Sequence, residues 1–278
     1  MFTDCFLRAH GERTEFPQKI GLYTSPHLTS VRECLRINFE PISEELFTKY
    51  FFEVWEKLSE DALQNPKKIP TGFLQLMTLI SFHTFFREEV DVAILETNSG
   101  GTYDATNIAK PNVVGITRLG IDHVQTLGST IESIAWHKSG IFKPGIPAFS
   151  SIQEPAATAV LQERASEKGV QLSIVNVDDM LSAEELRLEK VQQQNASLAL
   201  SVSNALLKEK APKEHSSLIP QDVLRGIELF SWPGRMQRIS DGNNHWFLDI
   251  AHNEMSLVVV GQWFAKNILE TQRFVYVI

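Results

Sequence analysis

The sequence predicts a doubly wound α/β fold with a mainly parallel sheet, followed by a smaller, incomplete α/β unit. Short apolar runs such as Val92–Leu95 and Val113–Thr117 are rich in β-branched residues, the pattern of strands buried on both faces of a parallel sheet. Amphipathic stretches with helical spacing alternate with these runs, which is the order of an α/β sheet. Glu96, Asp122 and His123 stand just past the two strands, and open α/β sheets collect ligands at the carboxyl ends of their strands.

Composition sets the outer limits. The 278 residues are 43% hydrophobic and 22% charged, enough for a globular core and too apolar for disorder. A net charge of -8 argues against a general nucleic-acid binder. It leaves room for an anionic ligand held by local dipoles or a metal. Cys5 and Cys34 are the two cysteines, which is no disulfide framework and suits a reducing compartment. No run reaches membrane-spanning length, and the opening MFTDCFLRAHG lacks the plan of a signal peptide.

The elements follow in order. Phe2, Cys5, Phe6 and Ala9 share one helical face, with Gly11 as the stop. Ile20–Thr24 is a strand leaving through the loop Ser25–Pro26–His27. Ser43 caps a helix burying Leu46, Tyr50, Val54 and Leu58, with Glu44 and Glu45 in its first turn. Asn65–Pro70 is a loop, and Thr71–Arg87 is a helix burying Phe73, Met77 and Ile80. After the two strands, Ser129 and Glu132 form a capping box and Gly140 closes the helix. Glu154–Lys168 reads as helix, Val170–Val175 as strand, and Leu188–Leu207 and Pro220–Ile227 as helices. The turn Ser231–Arg235 carries both breakers. It divides a main domain, residues 1–231, from a second, residues 236–278. The second comprises a hairpin (Met236–Ile239 and Trp246–Ile250), a helix (Glu254–Ile268) and a strand (Phe274–Ile278).

Three side chains stand out. Glu96 and His123 are placed as a metal or phosphate site needs them, and equally as a strand-end carboxylate and a loop histidine. Lys138 follows Ile131, Ile134 and Ala135 at seven, four and three residues, so it points with the apolar face. A lysine there is costly unless paired or modified. Otherwise its stem packs and its amine snorkels past the helix end.

Six stretches, in order, resemble the folylpolyglutamate synthases of the Mur-ligase family. They are LYTSPHLTSVRECLRIN (Leu22–Asn38), ETNSGGTYDATN (Glu96–Asn107), LGIDHVQTLGSTIESIAWHKSGIFKPG (Leu119–Gly145), QQNASLAL (Gln193–Leu200), WPGRMQ (Trp232–Gln237) and LDIAHN (Leu248–Asn253). TSPH and DATN favour the folate branch over the peptidoglycan ligases. The resemblance implies transfer of the terminal phosphoryl of ATP to the glutamate carboxylate of a tetrahydrofolate, then attack by the amine of L-glutamate. Ser25, Glu96 and His123 match the family's magnesium ligands, although histidine is unusual for Mg²⁺. Lys138 matches a lysine carried as a carbamate, and Lys138 and His123 are the implied catalytic pair. Asn195, Arg235, Asp249 and His252 match ATP contacts. From the residues alone, Arg235 could equally form a linker salt bridge and Asp249 a strand-end cap. The family implies a monomer, in cytoplasm or mitochondrion.

The sequence also departs from that pattern. The family opens with a strand and a glycine-rich phosphate loop, and no G-x-x-x-x-G-K-[ST] occurs in the 278 residues. The chain therefore reads as truncated at both ends. Asn98 and Ser99 occupy a turn that is glycine-rich in the family, which predicts backbone strain at Asn98. Ile250 replaces the glycine of D-G-A-H-N, where backbone approaches ATP. The expectation is a ligase-type chain inactive by itself, with a non-catalytic folate-binding module, a fragment without function, or a dihydrofolate synthase as alternatives.

Overall fold

The computed structural model describes residues 1–65, 71–242 and 244–269. Helix α1 (Phe2–Thr14) turns Phe2, Cys5, Phe6 and Ala9 inward, as their spacing requires. Gly11 does not stop it. The helix runs on to a left-handed Glu15, and a Cβ at Gly11 would collide with the Pro17 carbonyl. Gly11 therefore serves close packing of the returning chain.

Strand β1 (Ile20–Tyr23) is buried along its length. It pairs antiparallel with β2 (Leu35–Ile37), which pairs with β3 (Glu40–Pro41). These two short strands carry too few residues to show a period in sequence. Helix α2 (Glu44–Gln64) starts where the Ser43 hydroxyl accepts the Leu46 N–H at 3.2 Å. Its Tyr50 is buried, and Leu46, Val54 and Leu58 pack around the same core. Helix α3 (Phe73–Arg87) buries Met77 and Ile80. Phe73, expected inside, is 58% exposed, because it opens the helix one turn before the core contacts begin at Leu76.

Strand β4 (Val92–Leu95) lies parallel to β1, with Ile20 opposite Val92 and Tyr23 opposite Leu95. A second sheet, wholly parallel, holds β5 (Val114–Ile116), β6 (Ala148–Ser151) and β7 (Leu172–Val175) in that order. Between β5 and β6 come α4 (Val124–Leu127) and α5 (Ile131–Lys138), and α6 (Pro155–Glu167) joins β6 to β7. Sequence reading supplied neither β6 nor α4. The cap of α5 is Thr130 rather than Ser129: its hydroxyl accepts the Ser133 N–H at 3.2 Å. The extra turn α4 ends at Gly128, whose φ of 88° delays the start of α5. Gly140 lies within a further 3-10 turn, Ser139–Ile141.

Helices α7 (Lys190–Lys210) and α8 (Pro220–Glu228) complete the larger part. Hairpin β8 (Gln237–Asp241) and β9 (Asn244–Leu248) follows, then α9 (Glu254–Leu269). The strand expected at Phe274–Ile278 lies outside the described residues.

Helices cover both faces of each sheet. One core forms between the first sheet and α2 and α3, and another between the second sheet and α5 and α6. Helix α1 covers the opposite face of the first sheet, through Leu7 against Ile20 and Val92. Helix α7 covers that of the second: a Cβ at Gly115 would sit 3.1 Å from Val202. The parallel plan holds, but in two sheets. Among the described residues no strand joins β4 to β5.

Candidate functional site

Glu96 is the first residue beyond β4, held there by its N–H donating to the Tyr23 carbonyl at 2.9 Å. The loop after it turns at Gly100, with φ of 77°. The expected strain at Asn98 is absent, because the positive φ falls on Gly100 instead. Asn98 accepts from the Tyr23 hydroxyl at 2.8 Å, and its N–H donates to Asp104 at 2.9 Å. The loop then lies directly on the end of α5. Thr102 donates through N–H and hydroxyl to the His137 carbonyl, at 2.8 and 3.1 Å. A Cβ at Gly101 would approach the His137 and Lys138 carbonyls to 2.7 Å, and one at Gly140 would collide with the Thr102 backbone. These two glycines set the spacing between the loop that follows Glu96 and the helix end that carries Lys138.

His123 caps α4 in a left-handed conformation, φ 51°, with its N–H donating to the Asp122 carboxylate at 2.7 Å. Asp122 in turn accepts from the Asn253 amide at 3.1 Å and lies 3.3 Å from Nε2 of His252. Asp249 spends both oxygens locally, accepting from the N–H groups of Met236 (2.7 Å) and Ala251 (2.8 Å). Ile250 donates its N–H to the Gly234 carbonyl at 3.0 Å and accepts from Nδ1 of His252 at 3.0 Å.

Glu96, His123, Lys138, Asn195, Arg235 and Asp249 line one cavity of about 1550 Å³. Ser25 and His252 do not line it. Thr24, one residue earlier, does, and His252 lies beside its rim through Asp122. Arg235 forms no ion pair among the described residues, and its buried Nε has no hydrogen-bond partner. No cluster of three or more His, Cys, Asp or Glu side chains suited to a metal occurs among the described residues.

The cavity shifts its charged groups in opposite directions. Burial raises the Glu96 pKa, opposed by the Met1 amine, Arg235 and Lys138, although the side chain still meets solvent within the cavity. Burial lowers the Lys138 pKa, opposed by Asp104, Asp122 and Glu96. For Asp122, burial is outweighed by the His123 N–H, the Asn253 amide and the imidazoles of His123 and His252, so its pKa falls. A carboxyl kept less acidic beside an amine kept less basic is an arrangement that functional sites favour. Sequence placed Asp122 past the second strand but gave neither it nor Asn253 a role in the site. Their signal was adjacency, Asp122 beside His123 and Asn253 beside His252.

No family model matches the chain. It is 44% identical over 274 residues to the folylpolyglutamate synthase of Neurospora crassa, covering 96% of this chain and 52% of that protein. To the folylpolyglutamate synthase of Saccharomyces cerevisiae it is 42% identical over 287 residues, covering 98% and 52%. The chain thus spans about half the length of the curated relatives it matches. Among solved structures, the AMPPCP–folate complex of the L. casei synthase superposes with a TM-score of 0.81 at 26% identity, covering 95% of this chain and 68% of that one. The Mycobacterium tuberculosis synthase complexed with ADP gives 0.80 at 25% identity, covering 95% and 63%.

Proposed function

We propose, for a chain that belongs by sequence and by fold to the folylpolyglutamate synthase family, that its cavity is the ligand site of an ATP-dependent ligase joining L-glutamate to the γ-carboxylate of tetrahydrofolate. One observation carries this reading. Six residues from five separate motifs, Glu96, His123, Lys138, Asn195, Arg235 and Asp249, line the same cavity. Residues 1–231 and 236–278 are then two domains that both contribute to it.

In such a ligase the substrate carboxylate takes the terminal phosphoryl of ATP as an acyl phosphate. The glutamate amine displaces phosphate as the amide forms. Arg235 suits the phosphates, because its buried Nε lacks the acceptor that an anion would supply. Glu96 and His123 would hold magnesium, which neutralises and positions phosphoryl charge when bound. A single carboxylate ligand, Glu96, suits that ion, which keeps waters and phosphate oxygens as its other ligands. Burial leaves the Lys138 amine more often neutral, the form that adds CO₂ to give a carbamate. Asp122 and Asn253 position His123 against the start of α9.

The 278 residues carry no glycine-rich phosphate loop. We infer that this chain binds ligands at the site but does not turn over alone. Competition of magnesium AMPPCP against a fluorescent ATP analogue tests the site. Arg235→Ala should weaken binding about tenfold, the scale of one charge-assisted hydrogen bond to phosphate. Equal affinities for the unaltered chain and for Arg235→Ala would contradict the reading.

A further inference from the structure

The hairpin between β2 and β3 carries a side-chain stack that reaches the turn Ser231–Arg235. Ile37 pairs with Glu40, which leaves Asn38 and Phe39 as a two-residue turn with φ of 48° and 75°. Such turns, with both φ positive, favour asparagine followed by glycine. Asn38 fits: its side-chain carbonyl accepts the Ile20 N–H at 2.8 Å, and its own N–H donates to the Ile20 carbonyl at 2.8 Å. Phe39 does not fit, because a bulky residue at positive φ strains the backbone. Strained residues persist where their surroundings hold them.

Arg36 holds Phe39. Its side chain is 8% exposed, and its guanidinium lies 5.3 Å from the Phe39 ring and 5.1 Å from the Trp232 ring. It donates to the Phe39 carbonyl at 2.9 Å and to the Glu33 carbonyl at 3.1 Å. The two rings meet edge-on at 5.5 Å, and the Arg8 guanidinium adds a contact to Phe39 at 4.9 Å. Attraction between a cation and an aromatic face is strongest where both are out of water.

Trp232 carries this restraint to Arg235. The Arg235 N–H donates to the Trp232 carbonyl at 3.2 Å. Between them stand Pro233 and Gly234, whose φ is 69°, the arrangement of a type II turn. A turn of this kind brings its first and last Cα within about 7 Å, so a fixed Trp232 leaves Arg235 little freedom. Leu28 closes the other side, since a Cβ at Gly234 would sit 3.0 Å from it. Arg235 lines the cavity, and its buried Nε has no hydrogen-bond partner. Arg36, Phe39 and Trp232 do not line it.

We propose that Arg36 and Phe39 are positioning residues, which hold Arg235 at the cavity wall through Trp232. Glycine at position 39 would relieve the backbone and delete the ring. Strain kept at the one turn residue that meets both Arg36 and Trp232 points beyond folding. The proposal rests on the reading of Arg235 as a phosphate contact.

The first test uses no ligand. Phenylglyoxal labelling of arginines is followed by mass spectrometry, with Arg118, which lines the same cavity, as the reference. In Phe39→Gly, Arg235 should react about threefold faster or more while Arg118 keeps its rate, the mark of a local release. Arg235 reacting at its unaltered rate would overturn the proposal, and so would equal acceleration of both arginines, which would leave the ring a role in stability alone. The second test is competition by magnesium AMPPCP. Phe39→Gly should weaken binding about threefold, the scale of one cation–aromatic contact. Added to Arg235→Ala, it should change affinity by less than about twofold, since both act through one side chain. Trp232→Phe, which keeps a flat ring, should retain affinity that Trp232→Leu loses. A full second loss in the double variant would overturn the proposal, as would equal affinities for the two Trp232 variants. Arg235→Ala binding like the unaltered chain would instead contradict the reading of the cavity, and the labelling result would stand apart from it.

Discussion

The Asn253 side-chain amide donates to the Asp122 carboxylate at 3.1 Å, across 131 positions of sequence. Asp122 also accepts from the His123 N–H at 2.7 Å. One carboxylate thus ties the loop after β5 to the start of α9.

Removing it should loosen both partners. Asp122→Ala is expected to speed amide exchange over residues 252–256 and to weaken magnesium AMPPCP binding about twofold to fivefold, the worth of a partly exposed charged pair. Asn253→Ala should reproduce part of each effect. The pH dependence has a definite sign. The folded pKa of Asp122 is depressed, so its contribution is present above the ordinary aspartate value, near pH 4, and is lost as pH falls through the folded value. Urea titrations of the unaltered chain and of Asp122→Ala should therefore converge below about pH 4. Divergence at low pH would contradict this role.

Glu96 has the opposite sign. Burial raises its pKa in the folded chain, so ionisation opposes folding above the ordinary glutamate value. The penalty should be fully present above the folded pKa and vanish as pH falls below the unfolded one. Glu96→Gln should accordingly be more resistant to urea than the unaltered chain at pH 8, with the gap closing toward pH 4. It should also bind magnesium nucleotide more weakly. A variant less stable than the unaltered chain at pH 8 would show that Lys138 and Arg235 outweigh burial.

A buried cluster among residues that do not line the cavity joins α1 to α8. Asp222 accepts two bonds from Arg13, both 2.7 Å, and lies 3.1 Å from Nδ1 of His10. It also caps α8 through the Ile219 N–H at 3.1 Å. Asp222→Ala leaves a half-exposed arginine and a buried histidine without their partner, so it should cost about 2–3 kcal/mol in urea unfolding. Nucleotide affinity of the folded fraction should not change. A loss below 0.5 kcal/mol, the scale of an ordinary surface change, would show that water replaces the carboxylate.

How much of this was legible in sequence depended on how local each signal is. Val92–Leu95 matched its strand to the residue because a continuous apolar run ends at a charge. The Ser43 cap and the buried Met77 and Ile80 followed from capping and spacing. Strand β6 was missed because Ala148–Ser151 contains two serines, Ser150 and Ser151, both buried. Ser150 is held by the Gln153 amide at 3.0 Å, a tertiary compensation that hydropathy does not register. Gly11 and Gly140 were read as helix stops, whereas each makes room for backbone from another segment. Glu96, His123, Lys138, Asn195, Arg235 and Asp249 all line one cavity. Ser25 was placed one residue past the cavity wall because the strand exit turns there, leaving Thr24 on the wall. The bridge from Asp122 to Asn253 joins two motifs whose proximity only the fold creates.

The most direct measurement is ATP- and Mg²⁺-dependent addition of labelled glutamate to tetrahydrofolate. It is made with the 278-residue chain, and with a chain extended ahead of Phe2 by a strand and glycine-rich phosphate loop and completed in its second domain. Phosphoryl transfer is catalysed by positioning and charge stabilisation, and loss of one phosphate-stabilising side chain can cost on the order of 10³-fold in rate. The 278-residue chain is predicted to show no turnover. The extended and completed chain should gain it and lose it again with Glu96→Ala. Turnover by the 278-residue chain above its own Glu96→Ala control would contradict the account.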